Sequence, residues 1–126
     1  MKMNLKLALI LLCGIVIGAT GMKAIFAQTS TPPAYFISET TVHDQELYRR
    51  FLKEEPPHAP YGSQLLARGG RIIPLRGEPP QRVAIVAFPS VEAARKWFES
   101  PAHVESAKLY DQAATGRSFI VEGMAP

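Results

Sequence analysis

The stretch Arg82–Glu99, RVAIVAFPSVEAARKWFE, decides the fold because it joins a buried strand directly to an amphipathic helix. Residues 82–88 are apolar at both odd and even positions, which predicts a strand covered on both faces. Pro89 ends that strand because proline has no amide hydrogen to donate. Ser90 is a favourable N-cap for a helix in which Val91, Ala94 and Phe98 share one face.

The same rules, applied outward in both directions, predict four more strands and a first helix. A helix begins after the N-cap Asp44 and ends before the prolines at 56–57, which cannot donate to it. The second helix restarts at Ser100-Pro101, serine as cap and proline in the first turn, and stops at Gly116. The predicted strands lie at 34–41, 63–68, 71–75 and 117–122.

A glycine-rich segment, PYGSQLLARGGRIIPLRG at 60–77, predicts an extra hairpin. Gly69-Gly70 is a two-residue turn signal because both residues tolerate positive φ. Pro74 would place the returning strand at a sheet edge. A phosphate-binding glycine loop opens a helix rather than a strand, so the context disfavours a nucleotide site.

The resulting order, β-α-β-hairpin-β-α-β, predicts an α+β fold: a ferredoxin-like βαββαβ sandwich with an extra hairpin. Both helices fall on one face of the sheet, so the other face would expose Ile, Val and Phe to water. An apolar face of that kind usually marks an interface. We therefore expect a homodimer in which two sheets pack face to face, a dimeric α/β-barrel.

The N-terminus has the three-part layout of a secretory signal peptide. Lys2 and Lys6 precede an uncharged run over 7–22, and a small residue, Ala27, marks the expected cleavage site. The organisation is then signal peptide 1–27, linker 28–33, domain 34–123 and tail 124–126, with export to the periplasm or the medium. An uncleaved membrane anchor over 1–27 is the alternative, although the run is shorter than the roughly 20 residues of a comfortable span.

Cleavage would change the charge balance and remove the sole cysteine. The full chain carries 14 basic and 11 acidic residues. Three basic residues and no acidic ones lie in 1–27, so the mature chain would be neutral and would lack the electrostatic signature of a nucleic-acid binder. Cys13 also lies in the signal, so no disulfide is expected in the domain.

Six motifs together resemble the family called domain of unknown function 1330: AYFISE, LYRRF, PYGSQLLARGG, a strand ending in FPS, VEAARKWFESPAH and SFIVEG. They cover the chain from about residue 34 to 123. The resemblance implies a ferredoxin-like subunit of the dimeric α/β-barrel kind. It implies little about chemistry, and the oxygenases and degradative enzymes among barrel relatives are an analogy of fold only.

Three polar residues of one region are the candidate site. Arg68, on the second predicted strand, shares strand parity with Gln64 and Leu66, so it is expected on the same face of the sheet as they are. It is either a solvated turn residue or a bidentate anchor for a carboxylate. His58 and Tyr61 precede that strand. They are either a surface histidine and a tyrosine packed over the helix end, or a general base and a hydrogen-bond donor. Trp97 and Phe98 are the expected apolar wall, although core positions explain them as simply.

The remaining titratable residues indicate no metal site or cofactor. His43 and His103 stand at helix starts, and Glu54-Glu55 follows an exposed helix face, so all are expected to be solvated. The histidines do not have the spacing of a ligand set. We predict a binding domain for a small anionic or aromatic molecule. The alternatives are a cofactor-independent oxygenase, isomerase or decarboxylase, and a structural or partner-binding envelope protein.

Overall fold

This computed structural model describes residues 31–126. In these residues three helices pack as one layer against a sheet of four strands. The predicted signal peptide and the first half of the linker lie outside the described residues. In chain order the elements are β1 (Ala34–Val42), α1 (Gln45–Glu54), a 3₁₀ turn (Ala59–Tyr61), β2 (Gln64–Arg68), β3 (Arg82–Phe88), α2 (Val91–Phe98), α3 (Pro101–Ala113) and β4 (Ala114–Glu122).

The sheet has the strand order β2-β3-β1-β4, and its neighbouring strands are antiparallel. In the register, Phe36 of β1 lies opposite Val86 of β3 and Ile120 of β4. β2 and β3 are neighbours in both the chain and the sheet, whereas β1 lies between β3 and β4, as two interleaved β-α-β units require. The prediction of an α+β, ferredoxin-like fold is confirmed.

The helices begin at the predicted caps. The Asp44 carboxylate accepts hydrogen bonds from the amides of Glu46 and Leu47 at 3.1 and 3.0 Å. Ser90 Oγ accepts from the Ala93 amide at 3.1 Å, and Ser100 Oγ caps α3 in the same way. Each cap satisfies amides that have no carbonyl partner in the first turn.

The core is an aromatic cluster between the sheet and α2. Trp97 and Phe88 are its largest fully buried side chains, and Phe36 meets the indole edge-on with ring centroids 5.2 Å apart. The buried indole still satisfies its polar group, because Trp97 Nε1 donates to the Pro56 carbonyl at 3.1 Å. This bond holds the connection that follows α1 against α2, next to Glu55.

The predicted extra hairpin is wrong. Residues 71–75 form no strand, and β2 pairs directly with β3, which lies beyond the loop 69–81. The Gly69 amide donates to the Val83 carbonyl at 3.1 Å, so the ladder with β3 continues past the end of β2. Gly69 alone of the two glycines has a positive φ, which removes the two-residue turn.

A β-bulge at Leu66 alters which side chains share a face with Arg68. The register shifts between Leu65 and Ala67, so that Leu65 lies opposite Val86 while Arg68 lies opposite Ala84. Paired residues share a face of the sheet, and Gln64 pairs with Ala87 on the other face. The expectation that Arg68 and Gln64 share a face of the sheet is therefore wrong. The bulge turns Arg68 toward the helices.

The prediction that Gly116 ends the helix that starts at Ser100-Pro101 is wrong. α3 ends at Ala113 and β4 begins at Ala114, so Gly116 lies inside the strand opposite Thr40. A Cβ on Gly116 would lie 2.0 Å from the Glu39 carbonyl oxygen. The glycine is required by this close approach of β1 and β4, not by a helix terminus.

In the described part of the chain, the second face of the sheet is apolar and no helix covers it. Ile37 lies opposite Ile85 on one side and Phe119 on the other, so the three share this face. Phe119 and Val121 are 42% and 45% exposed. Among residues 31–126, no helix is long and apolar enough to cross a membrane.

Candidate functional site

A cleft of about 310 Å³ lies between the helix-facing side of the sheet and the helices α1, α2 and α3. Side chains from the middle of three strands form its floor, and aromatic residues from the helices form its walls. Phe36, Val86, Phe51, Trp97 and Phe98 give it an apolar middle. Polar groups are gathered at its two ends.

At one end, Glu55 lies between a cation and a histidine. Its Oε2 accepts from Arg68 Nη2 at 3.3 Å, and its Oε1 lies 3.9 Å from His103 Nε2. The side chains of Glu55 and His103 are only 13% and 8% exposed. We call Glu55, Arg68 and His103 the acid–base end of the cleft.

Burial acts in opposite directions on the two titratable groups of this end. It raises the pKa of the Glu55 carboxyl, and the positive charge of Arg68 opposes that rise. Burial lowers the pKa of His103, and a hydrogen bond with the Phe98 backbone opposes the decrease. Both shifts favour the neutral forms of the two groups.

His58 stands beside the acid–base end. Its Nδ1 forms a hydrogen bond with Ser63 Oγ, and its ring meets the Trp97 indole edge-on at 6.0 Å between centroids. Burial, and then the charge of Arg68, lower its pKa. His58 is thus a neutral, oriented group at neutral pH.

The opposite end of the cleft is a row of hydroxyls. Thr40 Oγ1 and the Tyr110 hydroxyl hydrogen-bond at 3.0 Å, and Ser38 Oγ lies 3.3 Å from Thr40 Oγ1. Tyr48 packs beside Tyr110, with ring centroids 6.5 Å apart. Burial raises the pKa of Tyr48, so it stays a neutral phenol.

Arg82 brings a positive charge to this hydroxyl end. Its guanidinium lies over the Tyr48 ring, 5.3 Å from the centroid. Within residues 31–126 no carboxylate forms a salt bridge with it, whereas Arg68 has Glu55. A Cβ on Gly69 would lie 2.9 Å from Arg82 Nη2, so the glycine also leaves room for this guanidinium.

Helical spacing separates the two ends of the cleft. Seven residues divide His103 from Tyr110 on α3, which is about 10 Å along the axis. Tyr48 and Glu55 have the same separation at α1, and Tyr48 meets Tyr110 while Glu55 meets His103. The two helices are therefore antiparallel, with one polar end of the cleft at each end of the pair.

The structure brings together four of the five residues singled out from the sequence. Arg68, His58, Trp97 and Phe98 line the cleft. Tyr61 instead packs against the aromatic core cluster and is not among the lining residues. No direct contact joins Arg68 to His58 in the hydrogen-bond network described above.

The expectation that Glu55 and His103 are solvated is wrong. Glu54 is the exposed member of its pair at 53%, whereas Glu55 follows the last turn of α1 and points inward. His103 packs on Trp97 with ring centroids 4.5 Å apart. His43 does lie at the surface, where Nε2 hydrogen-bonds with Thr115 Oγ1.

Sequence reasoning also missed Arg82 and the hydroxyl row. The seven-residue spacing of Tyr48 with Glu55, and of His103 with Tyr110, was a usable signal, because it places each pair on one helix face. Arg82 could not be found in this way, since the first residue of a strand has no partner evident in sequence. Among residues 31–126, no group of three histidine, cysteine or acidic side chains is placed to hold a metal ion.

Residues 33–124 match the family described as domain of unknown function, DUF1330. The chain belongs to the DUF1330 family. The match covers the described sheet, helices and cleft, and it confirms the resemblance carried by the sequence motifs. No curated protein matches the chain.

Solved structures show a similar subunit. A protein of unknown function from Rhodopseudomonas palustris is 20% identical, with a TM-score of 0.62 over 82% of this chain and 95% of that one. This likeness shows that the DUF1330 chain and that protein share a fold.

Two weaker likenesses have TM-scores of 0.45. SnoaB, a cofactor-independent oxygenase from Streptomyces nogalater, is 14% identical over 76% of this chain and 97% of its own. A dimeric protein of unknown function and ferredoxin-like fold from Bacteroides fragilis is 14% identical over 71% of this chain and 95% of that one. Neither bears on the activity of this DUF1330 domain.

Proposed function

We propose that this domain binds a small, planar, anionic molecule in the cleft between its sheet and its helices. The observation that carries the proposal is Arg82, a guanidinium that lines an aromatic cleft without a carboxylate partner in the described residues. A partly buried cation of this kind favours a ligand carboxylate, which would accept hydrogen bonds from the planar guanidinium. Arg68 is the weaker anchor because its guanidinium already contacts Glu55 Oε2 at 3.3 Å.

The apolar middle of the cleft supports a flat ligand body. Phe36, Phe51, Trp97 and Phe98 supply ring faces and edges between the two polar ends. Pockets for small molecules combine mostly apolar walls with a few oriented polar groups. A surface that served only as a partner-binding patch would have no need of an internal cleft, so the cleft favours the small-molecule alternative.

Three ligands of matched size test the binding proposal: 4-carbamoylbenzoate, 4-acetylbenzoate and the neutral 4-acetylbenzamide. Trp97 is the sole tryptophan, so its fluorescence reports on the cleft wall without interference. The two carboxylates should bind and raise the melting temperature, and the neutral analogue should not. Arg82→Met should weaken binding about tenfold or more, since hydrogen bonds to a charged group are lost.

Arg71→Met is the matched control, because Arg71 is an exposed arginine of the adjacent loop. It should leave the affinity for both carboxylates unchanged. Equal weakening by both arginine variants, or no binding of either carboxylate, would contradict the proposal.

We further propose that the domain is a homodimer through the open sheet face. The apolar side chains Ile37, Ile85, Phe119 and Val121 support it, since burying such a face removes a large apolar area from water. A second copy is self-complementary to this surface by two-fold symmetry.

Export is the third part of the proposal, with cleavage after Ala27. It rests on the basic start, the uncharged run over 7–22 and the small residue at the cleavage site. The intact mass of protein recovered from the periplasm of a bacterial host should correspond to a chain that begins at Gln28. A mass that retains residues 1–27 would support the membrane-anchor alternative.

A further inference from the structure

Glu55 and His103 form a pairing that ligand binding alone does not require. A carboxyl and an imidazole, each largely removed from water, face each other at 3.9 Å on the wall of the cleft. Simple recognition of an anion has no need of an acidic group there. Structural ion pairs of this type usually use a permanent cation, and Glu55 already has one in Arg68.

We propose that Glu55 and His103 are an acid–base pair that transfers protons on a carbonyl compound bound in the cleft, giving the domain a keto–enol isomerase activity. The inference rests on the proposed ligand binding, with the ligand carboxylate at Arg82. The substrate class is an aromatic carboxylate that bears an enolisable carbonyl group at the end away from its carboxylate.

The geometry assigns a role to each partner. His103 Nε2 faces Glu55. It accepts the proton from the carbon next to the carbonyl, so the C–H bond breaks and an N–H bond forms. The electron pair of that C–H bond forms the carbon–carbon double bond of the enol. The Glu55 carboxyl donates its proton to the carbonyl oxygen, whose C=O π electrons become the new O–H bond.

The pair then resets itself without a co-reactant. After the step His103 carries an extra proton and Glu55 is a carboxylate. If His103 Nε2 and Glu55 Oε1 approach each other by roughly 1 Å, they form a hydrogen bond. Transfer of the proton from Nε2 to Oε1 restores the starting state. The overall change is an isomerisation in which no electrons are gained or lost and no atom leaves.

Arg68 and His58 are the other charged or titratable groups at this end, and both fit the role. Arg68 stabilises the Glu55 carboxylate that forms in the step, so the carboxyl remains able to release its proton. His58 is held by Ser63 and adds no charge when neutral. Burial favours a neutral pair before the step, which is the protonation state that the step uses.

The distance between the two ends of the cleft defines the substrate class. Tyr48 and Tyr110 lie about 10 Å along the helices from Glu55 and His103. Arg82 lies over the Tyr48 ring. One aromatic ring with a carboxylate on one side and a short carbonyl group on the other matches that arrangement. The ring would lie in the apolar middle, between Phe36, Phe51 and Phe98.

The test is solvent deuterium exchange into the methyl group of 4-acetylbenzoate and its 3-isomer, followed by proton NMR in heavy water. The domain should accelerate loss of the methyl signal of at least one isomer over buffer alone. Glu55→Gln and His103→Asn should each reduce the protein-dependent rate by about 100-fold or more. 4-Carbamoylbenzoate, which has no enolisable carbon, should inhibit competitively.

Matched controls separate chemistry from folding. Glu54→Gln changes the exposed neighbour of Glu55, and His43→Asn changes a surface histidine, so both should keep the full exchange rate. Binding of 4-carbamoylbenzoate by each variant, read from Trp97 fluorescence, shows that the cleft is folded. If Glu55→Gln does not fold, His103→Asn decides the question.

The outcomes distinguish the two proposals. Failure of every carboxylate to bind overturns the proposed binding and this inference with it. Arg82-dependent binding of 4-acetylbenzoate and of its 3-isomer without accelerated exchange overturns the isomerase inference alone. Exchange that survives in both Glu55→Gln and His103→Asn also overturns it.

Discussion

The indole ring of Trp97 and the imidazole ring of His103 lie 4.5 Å apart, centroid to centroid, on the wall of the cleft. The contact joins the core to the acid–base end, because Trp97 is fully buried while His103 also faces Glu55. The sole tryptophan of the chain is thus in contact with a titratable ring. Its fluorescence should report the protonation of that ring.

We predict that Trp97 fluorescence decreases as the pH is lowered, since an imidazolium quenches a neighbouring indole. Burial lowers the pKa of His103, so the midpoint should lie below the ordinary value of 6.5. His103→Asn should remove most of the transition in a fluorescence titration of the folded protein. His58→Asn should remove a smaller part, because its ring is 6.0 Å away.

His43→Asn is the control for the titration, as His43 is exposed and hydrogen-bonded to Thr115. It should leave the curve unchanged. A midpoint at or above 6.5 in the wild type would contradict the burial that the structure gives His103.

The free energy of unfolding should depend on pH with two opposing contributions. His58 and His103 have lowered pKa values in the folded state, so the unfolded chain binds more protons and stability falls as the pH drops below 6.5. Glu55 has a raised pKa, so its contribution is largest below 4.5 and is lost as the pH rises through the folded value.

Between pH 4.5 and 6.5 the two contributions have opposite slopes. Glu55→Gln should therefore make the loss of stability on acidification steeper in urea titrations over this window. The double variant His58→Asn/His103→Asn should make it shallower or reverse it. Parallel curves for the wild type and Glu55→Gln would show that Glu55 has the same pKa in the folded and unfolded chains.

Gly116→Ala should destabilise the domain by about 1–3 kcal/mol, because the new methyl group overpacks the contact of β1 with β4. A Cβ there meets the Glu39 carbonyl oxygen at 2.0 Å and the Tyr110 hydroxyl at 2.8 Å. Chemical denaturation gives the change directly. Gly70→Ala is the control, since nothing lies within 4 Å of its Cβ position and its φ is not positive.

Local signals predicted the elements that depend on local chemistry. The caps Asp44, Ser90 and Ser100 set the helix starts because their side chains bond amides within three residues. The apolar strand 82–88 lies where its composition predicts. These features require no knowledge of distant residues.

Pairing between distant segments could not be predicted in the same way. The run 71–75 has the local composition of a strand. The edge of β2 with which it could pair as a hairpin is occupied by β3 instead. The bulge at Leu66 likewise depends on the register with β3. A shift of one residue exchanges the two faces of a strand. Arg68 therefore does not share a face with Gln64, as strict alternation along the strand had predicted.

The site was only partly predictable for the same reason. Arg68 and Trp97 were identified from their residue types and positions, but Glu54 and Glu55 are adjacent identical residues at a helix end. Only the tertiary structure, with Arg68 on a neighbouring strand, distinguishes the buried glutamate from the exposed one. His103 needed the packing of α3 against Trp97.

Phe119→Glu should convert the proposed dimer into a monomer. Phe119 lies on the open sheet face opposite Ile37, so a carboxylate there would be buried without a partner when two sheets pack together. The molar mass from light scattering after size exclusion should fall to that of one chain. The cleft lies on the other face of the sheet, so binding of 4-carbamoylbenzoate by the monomer should persist.

Val104→Glu is the matched control for Phe119→Glu. Val104 is also an exposed large apolar residue, 55% accessible, but it belongs to the helix layer on the opposite side of the sheet. The same substitution there should leave the dimer intact. A wild type of single-chain mass, or equal dissociation by both variants, would contradict an interface on the open sheet face, because that interface predicts an effect from one face only.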